Sequence, residues 1–182
     1  MLERKFHQPE AGLLLMESDS GGLVISGYAS LFGVTDQGGD VVAPGAYATS
    51  LAARGRTGGR IRMLWQHDPG EVIGIWEEVH EDSRGLWVQG RLLTGIGRGR
   101  EAAELLREGA IDGLSIGYRT VRSTRDEAGR RVLKELDLWE VSLVTFPMLP
   151  EARVAAKSDE LSLAFHDLAQ LFDEARGTLE RR

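Results

Sequence analysis

Several residue types and features are scarce in this chain of 182 residues, and each absence excludes a class of protein. There is no cysteine, which excludes a disulfide framework, a thiolate metal site and a cysteine nucleophile. The 22 Lys and Arg are outnumbered by 28 Asp and Glu, so the net charge of −6 argues against a nucleic-acid binder. No apolar run approaches the ~20 residues that a membrane-spanning helix needs. The four histidines make a zinc site hard to assemble, and we expect no metal or other cofactor.

Glycine is the residue in excess, with 23 copies against an average usage of roughly 7%. Only 5 prolines are present and 42% of the residues are hydrophobic, which is not the composition of a disordered chain. Short β-rich runs separated by glycine-containing turns predict about seven strands, with two or three helices. We therefore expect a mainly-β (α+β) domain in which a closed or nearly closed barrel carries its helices on the outside.

The element boundaries follow from alternation, helical spacing and turn residues. The clearest predicted strands are 22–32, 61–67, 72–79, 86–93, 114–121 and 132–146, and the predicted helices are 46–53 and 101–108. The Gly/Arg stretches 54–60 and 95–100 predict loops, and Asp68-Pro69-Gly70 predicts the end of a strand. Four apolar residues near the C-terminus, at steps of four, three and four, are typical of an amphipathic helix: Leu161, Phe165, Leu168 and Phe172. We divide the chain into a domain at 1–156 and a helical tail at 157–182.

The first candidate for chemistry is Ser115, in Gly113-Leu114-Ser115-Ile116-Gly117. On a strand, the two glycines share the face of Ser115, so nothing crowds its hydroxyl and a substrate chain has access to it. The alternative is a strip of small residues packed against a neighbouring element. The same residues match Gly-x-Ser-x-Gly, but a nucleophile elbow needs a strand before the serine and a helix after it. Because the predicted order is the reverse, we interpret the match as coincidental and keep a small esterase as a rival hypothesis.

His67 and Glu140 are the candidates for the remaining members of a serine-based site. His67 ends the predicted strand 61–67, and a partly shielded neutral imidazole is a suitable general base. The alternative is a structural histidine that ends a strand. Glu140 lies on a largely apolar strand face, where a carboxylate needs a partner, either a histidine or one of the many arginines. Asp137, on the opposite face of the same strand, is the reserve third member.

Six collinear segments, spread over roughly residues 22–155, carry a resemblance to a known family. They are 25–32, 38–47, 63–69, 73–74, 113–118 and 138–147. In these segments the chain resembles the prohead (head-maturation) serine proteases of tailed phages. The resemblance implies a fold related to the herpesvirus assemblin protease, a Greek-key-like barrel ringed by helices.

The same resemblance implies a serine endopeptidase with Ser115 as nucleophile, His67 as base and Glu140 as third member. Herpesvirus enzymes use a second histidine in the third position. Arg153 lies in a place comparable to their oxyanion-loop arginine, although its spacing differs. The oxyanion donors and the choice between Glu140 and Asp137 therefore stay open.

The resemblance also implies partners and a location. The substrates would be the scaffold protein or the scaffolding segment of the major capsid protein, and the enzyme would also cleave itself. It would act inside the procapsid in the host cytoplasm, as a homodimer or through high local concentration, without nucleic acid or membrane. The tail 157–182 would bind scaffold or be removed by autocleavage. The rival interpretation is a non-catalytic procapsid assembly component that uses the same barrel.

Overall fold

The computed structural model describes residues 14–17 and 23–152, and within them it contains eight strands and two helices. The strands are β1 (Leu14–Glu17), β2 (Leu23–Leu31), β3 (Asp40–Val42), β4 (Arg62–Trp65), β5 (Asp68–Glu81), β6 (Gly85–Leu92), β7 (Gly113–Arg125) and β8 (Arg131–Val144). The helices are α1 (Ala48–Thr57) and α2 (Gly97–Arg107). The predicted helical tail and Arg153 lie outside the described residues.

All eight strands belong to one sheet in the order β1-β2-β6-β5-β4-β8-β3, and β7 pairs with the opposite edge of β8 along its whole length. Most neighbours are antiparallel, whereas β3 and β4 both run parallel to β8. The sheet curls into a half-barrel, so the mainly-β class is confirmed. The expected closed barrel is not formed among the described strands, because no ladder joins β1 or β2 to β7 at the other end of the sheet.

The core fills the concave interior of the curled sheet and the space under the two helices. Leu138 and Leu143 of β8 are fully buried, as are Met63 of β4 and Ile73 of β5. Helix α1 packs against β8 and α2 packs against β5 and β6. The buried Ser50 of α1 accepts a hydrogen bond from the Leu138 N–H at 3.0 Å, which fixes that helix to the strand of the candidate site.

Both helices are longer than predicted, because Gly/Arg segments expected to be loops are partly helical. Glycine lowers helix propensity in these segments, so packing of the helices on the sheet must override it. In α2, for example, Gly99 and Ala102 are both buried. Helix α1 continues to Thr57 and ends at Gly58, which has a left-handed φ of 68°. Helix α2 begins at Gly97, and Gly109 adopts φ 65° just after its end, a position where glycine is common.

The turn between β4 and β5 also differs from the prediction. Strand β4 stops at Trp65, and Asp68, expected to end a strand, is instead the first residue of β5. Trp65 pairs with Asp68, so only Gln66 and His67 form the hairpin turn. His67 therefore leaves the strand and does not share a strand face with Trp65.

Candidate functional site

The backbone at His67 adopts a conformation that non-glycine residues seldom adopt. Gln66 has φ 52° and His67 has φ 63°, so both residues of the two-residue hairpin turn are left-handed. Two-residue β-hairpins favour positive φ because it matches the twist of the flanking strands, but they normally use Asn or Gly there. The turn projects the His67 side chain away from the core, and 42% of that side chain is exposed.

Hydrogen bonds from the end of β8 hold this strained turn in place. The Gln66 N–H donates to the Leu143 carbonyl at 2.9 Å. The Gln66 side-chain amide donates to Thr145 Oγ1 at 2.7 Å and accepts from the Thr145 N–H at 3.3 Å. The His67 N–H donates to Ser142 Oγ at 3.2 Å. Left-handed non-glycine residues persist where several contacts fix them, and β8 supplies those contacts here.

Glu140 meets His67 from the neighbouring strand, as expected for a carboxylate in need of a partner. Glu140 Oε1 lies 2.6 Å from His67 Nδ1, and only 9% of the glutamate is exposed. Its second oxygen, Oε2, accepts a hydrogen bond from Ser142 Oγ at 2.5 Å. The carboxylate therefore binds Nδ1 and fixes the orientation of the ring. Nε2 is the ring nitrogen that Glu140 does not contact.

Asp137, the reserve third member, has different partners and does not bond to His67 in the described structure. Its carboxylate contacts Arg54 at 3.3 Å and Arg119 at 3.5 Å. The Trp139 indole N–H donates to it at 2.8 Å. This indole hydrogen bond lowers the pKa of Asp137 most, burial opposes it, and the two arginines lower it further. Between the two candidates, the geometry favours Glu140.

Ser115 lies on the same face of β7 and β8 as the Glu140 carboxylate. It is buried, and it pairs directly with Ser142 across the two strands. Gly117 pairs with Glu140, and a Cβ atom built on Gly117 would lie 1.9 Å from Glu140 Oε1. Since Ser115 is two residues before Gly117 on the same strand, its side chain points to that face too. No side-chain hydrogen bond to Ser115 is present in the described part of the chain, and such bonds are often long without substrate.

The sequence suggests that Gly113 and Gly117 give a substrate access to Ser115. In the structure the two glycines instead make room for other residues of the protein. Gly117 accommodates the Glu140 carboxylate, because any side chain at position 117 would overlap with it. At Gly113 an added Cβ would lie 2.6 Å from the Val144 carbonyl and 2.8 Å from Pro147 Cδ. The nucleophile-elbow pattern is indeed coincidental, because Ser115 lies inside β7 and the helix precedes that strand.

A cavity of about 610 Å³ lies beside Ser115, between β2 and the edge of β7 that faces away from β8. Its walls include residues 29–31 of β2 and 114–116 of β7. The Leu114 N–H donates to the Ala152 carbonyl at 2.8 Å, so it points away from β8. By strand alternation, the N–H and C=O of Ile116 point to the same side, along the cavity.

Ser142, Gln66 and Thr145 are site residues that the sequence reasoning missed. Ser142 is recognisable only as the residue two positions after Glu140 on one strand face. Gln66 and Thr145 give no signal, because neither is a residue type typical of a left-handed turn or its support.

Two features are absent from the part of the chain that the structure describes. No helix in 23–152 is long and apolar enough to cross a membrane. No group of three or more histidine and acidic side chains in the described residues is arranged to hold a metal ion.

A histidine bonded to a buried glutamate, beside a strand that carries a buried serine, supplies the residue types of the serine–histidine–carboxylate class of sites. Sequence comparison identifies the family. Residues 13–166 match the sequence model of the caudovirus prohead serine proteases, and the chain belongs to this family.

Two relatives illustrate the similarity. The chain is 32% identical over 136 residues to the prohead protease of Enterobacteria phage HK97, covering 73% of this chain. The match spans 59% of the length of the HK97 protein. The structure of the bacteriophage T4 capsid assembly protease superposes with a TM-score of 0.57 at 15% identity, covering 74% of this chain and 96% of that one. This second likeness shows a shared fold.

Proposed function

We propose that this protein is a serine endopeptidase of phage procapsid maturation. The observation that carries the proposal is the 2.6 Å contact between His67 Nδ1 and Glu140 Oε1, on the strand face to which Ser115 points. A carboxylate that holds the imidazole through Nδ1 leaves Nε2 to take the serine proton, which is the arrangement serine hydrolases use. Membership of the prohead serine protease family supports the same function.

In the proposed mechanism, Ser115 Oγ attacks the carbonyl carbon of the scissile peptide bond while His67 Nε2 accepts its proton. Glu140 stabilises the resulting imidazolium. The imidazolium then protonates the leaving amine, and water hydrolyses the acyl-enzyme with His67 again acting as base. Backbone N–H groups stabilise the oxyanion.

The substrate chain lies extended along the outer edge of β7 in this proposal. By strand alternation the N–H and C=O of Ile116 point along the cavity, and a polypeptide can pair with them as an added strand. The Leu114 N–H is already bonded to the Ala152 carbonyl, so this pairing begins at Ile116. The cavity, of about 610 Å³, is large enough for a few substrate side chains.

Membership of the family supports the following biological setting as part of the proposal. The substrates are the scaffold protein or the scaffolding segment of the major capsid protein, cleaved inside the procapsid in the host cytoplasm. Autocleavage removes the tail 157–182, unless the tail serves to bind scaffold. Homodimerisation and a relationship of the half-barrel to the herpesvirus assemblin barrel belong to the same proposal.

The test is coexpression of the protein with the capsid and scaffold proteins of its phage, followed by mass mapping of the cut sites. Ser115→Ala and His67→Ala should each lower cleavage by a factor of about 10³ or more, because each removes a group that takes part in bond breaking. Circular dichroism should show an unchanged fold.

Two matched variants control for the loss of a side chain alone. Ser123→Ala removes an exposed serine of the same strand, and His80→Ala removes a histidine that contacts Glu78 at 3.2 Å on the surface. Both controls should cleave normally. Full processing by Ser115→Ala would refute the proposal, and an unchanged procapsid with that variant would favour a non-catalytic assembly component.

A further inference from the structure

Ser142 is a fully buried serine at the junction of the three strands that carry the site. It lies in β8, paired with Leu64 of β4 on one side and with Ser115 of β7 on the other. None of its surface is exposed, so it cannot be the residue that attacks a substrate. The proposed mechanism assigns it no step.

The Ser142 hydroxyl bonds to both partners of the histidine–glutamate pair. It donates to Glu140 Oε2 at 2.5 Å and accepts from the His67 backbone N–H at 3.2 Å. A hydroxyl has one donor and two acceptor sites, so these two bonds are compatible and together they orient it. Ser142 Oγ therefore links the Glu140 carboxylate to the backbone of His67. The same carboxylate also binds the His67 ring.

Removing this oxygen would leave two groups without their partner. Glu140 Oε2 would lose its hydrogen-bond donor, and the carboxylate could then rotate away from His67 Nδ1. The His67 N–H would lose its acceptor in a turn that is strained, with φ 63° at this residue. Both changes displace the imidazole relative to Ser115.

We propose that Ser142 is a positioning residue that locks the Glu140 carboxylate and the His67 turn in the orientation that Ser115 needs. The inference rests on the proposed function for its kinetic consequence, but the geometry it describes is independent of any substrate. A displacement of about 1 Å in such a site can cost roughly 100-fold in rate.

The experiment compares the full-length protein with Ser142→Ala and Ser142→Thr, using a fluorophosphonate as the probe. This reagent forms a bond between phosphorus and Ser115 Oγ and expels fluoride, so it reports nucleophile activation without a known substrate. Ser142→Ala should lower the maximal labelling rate by about 10- to 100-fold with little change in the half-saturating probe concentration. Ser142→Thr retains the hydroxyl and should recover most of the rate.

Ser50→Ala is the matched control. Ser50 is also buried and also accepts a β8 backbone N–H, that of Leu138 at 3.0 Å, but it does not contact His67 or Glu140. Its loss should lower thermal stability to a similar extent and leave the labelling rate unchanged. If Ser50→Ala and Ser142→Ala slow labelling equally, Ser142 has only a structural role and the proposal is wrong.

A proton NMR measurement separates this inference from the proposed function. The Nδ1–H of His67, bonded to Glu140, should give a low-field signal that His67→Ala removes. The signal should persist in Ser142→Thr and Ser50→Ala and broaden or vanish in Ser142→Ala. A wild-type protein that neither cleaves nor is labelled at Ser115 contradicts the proposed function alone, whereas an unaltered signal in Ser142→Ala overturns the role of Ser142.

If Ser142→Ala does not fold, Ser142→Cys takes its place, since the thiol replaces the hydroxyl with a side chain of similar shape but weakens both hydrogen bonds. The same loss of rate and signal is expected. Normal labelling and a normal low-field signal in the cysteine variant would overturn the proposal.

Discussion

At the scale of single residues, the site depends on a glycine as much as on its charged groups. Glu140 occupies the space that a side chain at position 117 would fill, since an added Cβ would lie 1.9 Å from Oε1 and 2.6 Å from Cδ. The carboxylate can reach His67 Nδ1 only because the paired residue of β7 is Gly117. The glycine is thus required by close approach rather than by an unusual backbone conformation.

Gly117→Ala should therefore impair catalysis by moving Glu140. We expect cleavage to fall about 100-fold, because the methyl group displaces the carboxylate that orients His67. The strand should persist, with stability lowered by roughly 1–3 kcal/mol through overpacking. Cleavage assays and urea unfolding measure the two effects.

The matched control for Gly117→Ala is Gly55→Ala in helix α1. No heavy atom lies within 4 Å of a Cβ built there, so the methyl group meets open space. We expect unchanged cleavage and a gain in stability of about 0.5–1 kcal/mol, because alanine favours a helix more than glycine does. Normal cleavage by Gly117→Ala would contradict the role assigned to this glycine.

At the scale of elements, the β4–β5 hairpin carries the catalytic histidine of the proposed mechanism and β8 determines its position. Strand β4 runs parallel to β8, with Arg62 paired to Glu140 and Trp65 to Leu143. This register places the turn next to the end of β8, where the Gln66 amide and Thr145 exchange two hydrogen bonds. The hairpin and β8 therefore act as one unit, although they are far apart in sequence.

Thr145→Val tests this coupling by removing the acceptor of the Gln66 amide without changing the side-chain shape. We expect cleavage to fall several-fold, because the turn loses one of its contacts with β8. The cost in stability should be about 0.5–1.5 kcal/mol, which is typical of one hydrogen bond. Thr124→Val, at an exposed position of β7, is the control and should change neither quantity. Equal effects of the two variants would count against the coupling.

At the scale of the whole molecule, stability depends on pH through aspartates at low pH and tyrosines at high pH. Burial acts to raise the pKa of Asp82, but the Tyr28 hydroxyl and the backbone N–H groups of Gly85 and Arg84 hold it below the ordinary 3.8. The pKa of Asp137 is lowered as well. Carboxyl groups with lowered pKa values stabilise the fold above about pH 4, and this contribution is lost as pH falls through their folded pKa values.

The tyrosines affect stability at the alkaline end of the pH range, because their pKa values are raised. Burial first, and then the hydrogen bond to Asp82, raises the pKa of Tyr28 from 10.0 to about 12. Burial also raises the pKa of the fully buried Tyr47 and of Tyr118. A group with a raised pKa contributes fully below its unfolded value near 10, and the contribution is lost as pH rises toward the folded value.

Tyr47→Phe should accordingly make stability less sensitive to alkali. In the wild type the free energy of unfolding should begin to fall above about pH 10, because only the unfolded chain ionises this tyrosine readily. The phenylalanine variant lacks the ionisable group, so its stability should fall less steeply. Urea unfolding between pH 8 and pH 11 measures the two slopes, and Tyr28→Phe provides a comparison at a less buried position. Identical slopes in wild type and Tyr47→Phe would refute the assignment.

The sequence by itself determined the mainly-β class, most strand positions and the candidates Ser115, His67 and Glu140. Strand alternation and turn residues are local signals, and a serine between glycines or a carboxylate on an apolar face stands out without any knowledge of the fold. The loops predicted for the Gly/Arg segments are wrong in part, because packing on the sheet makes Thr57 and Gly97 helical despite the local turn signals.

Only the tertiary structure decided how those candidates are held. The left-handed Gln66 and His67 follow from pairing with β8, some 75 residues away, and nothing in their own residue types predicts that conformation. Asp137 and Glu140 lie three residues apart in sequence, yet their partners differ, because the β4–β5 turn lies beside Glu140 whereas Arg54 of α1 lies beside Asp137. Contacts between distant segments set these features, and neither local propensity nor periodicity encodes such contacts.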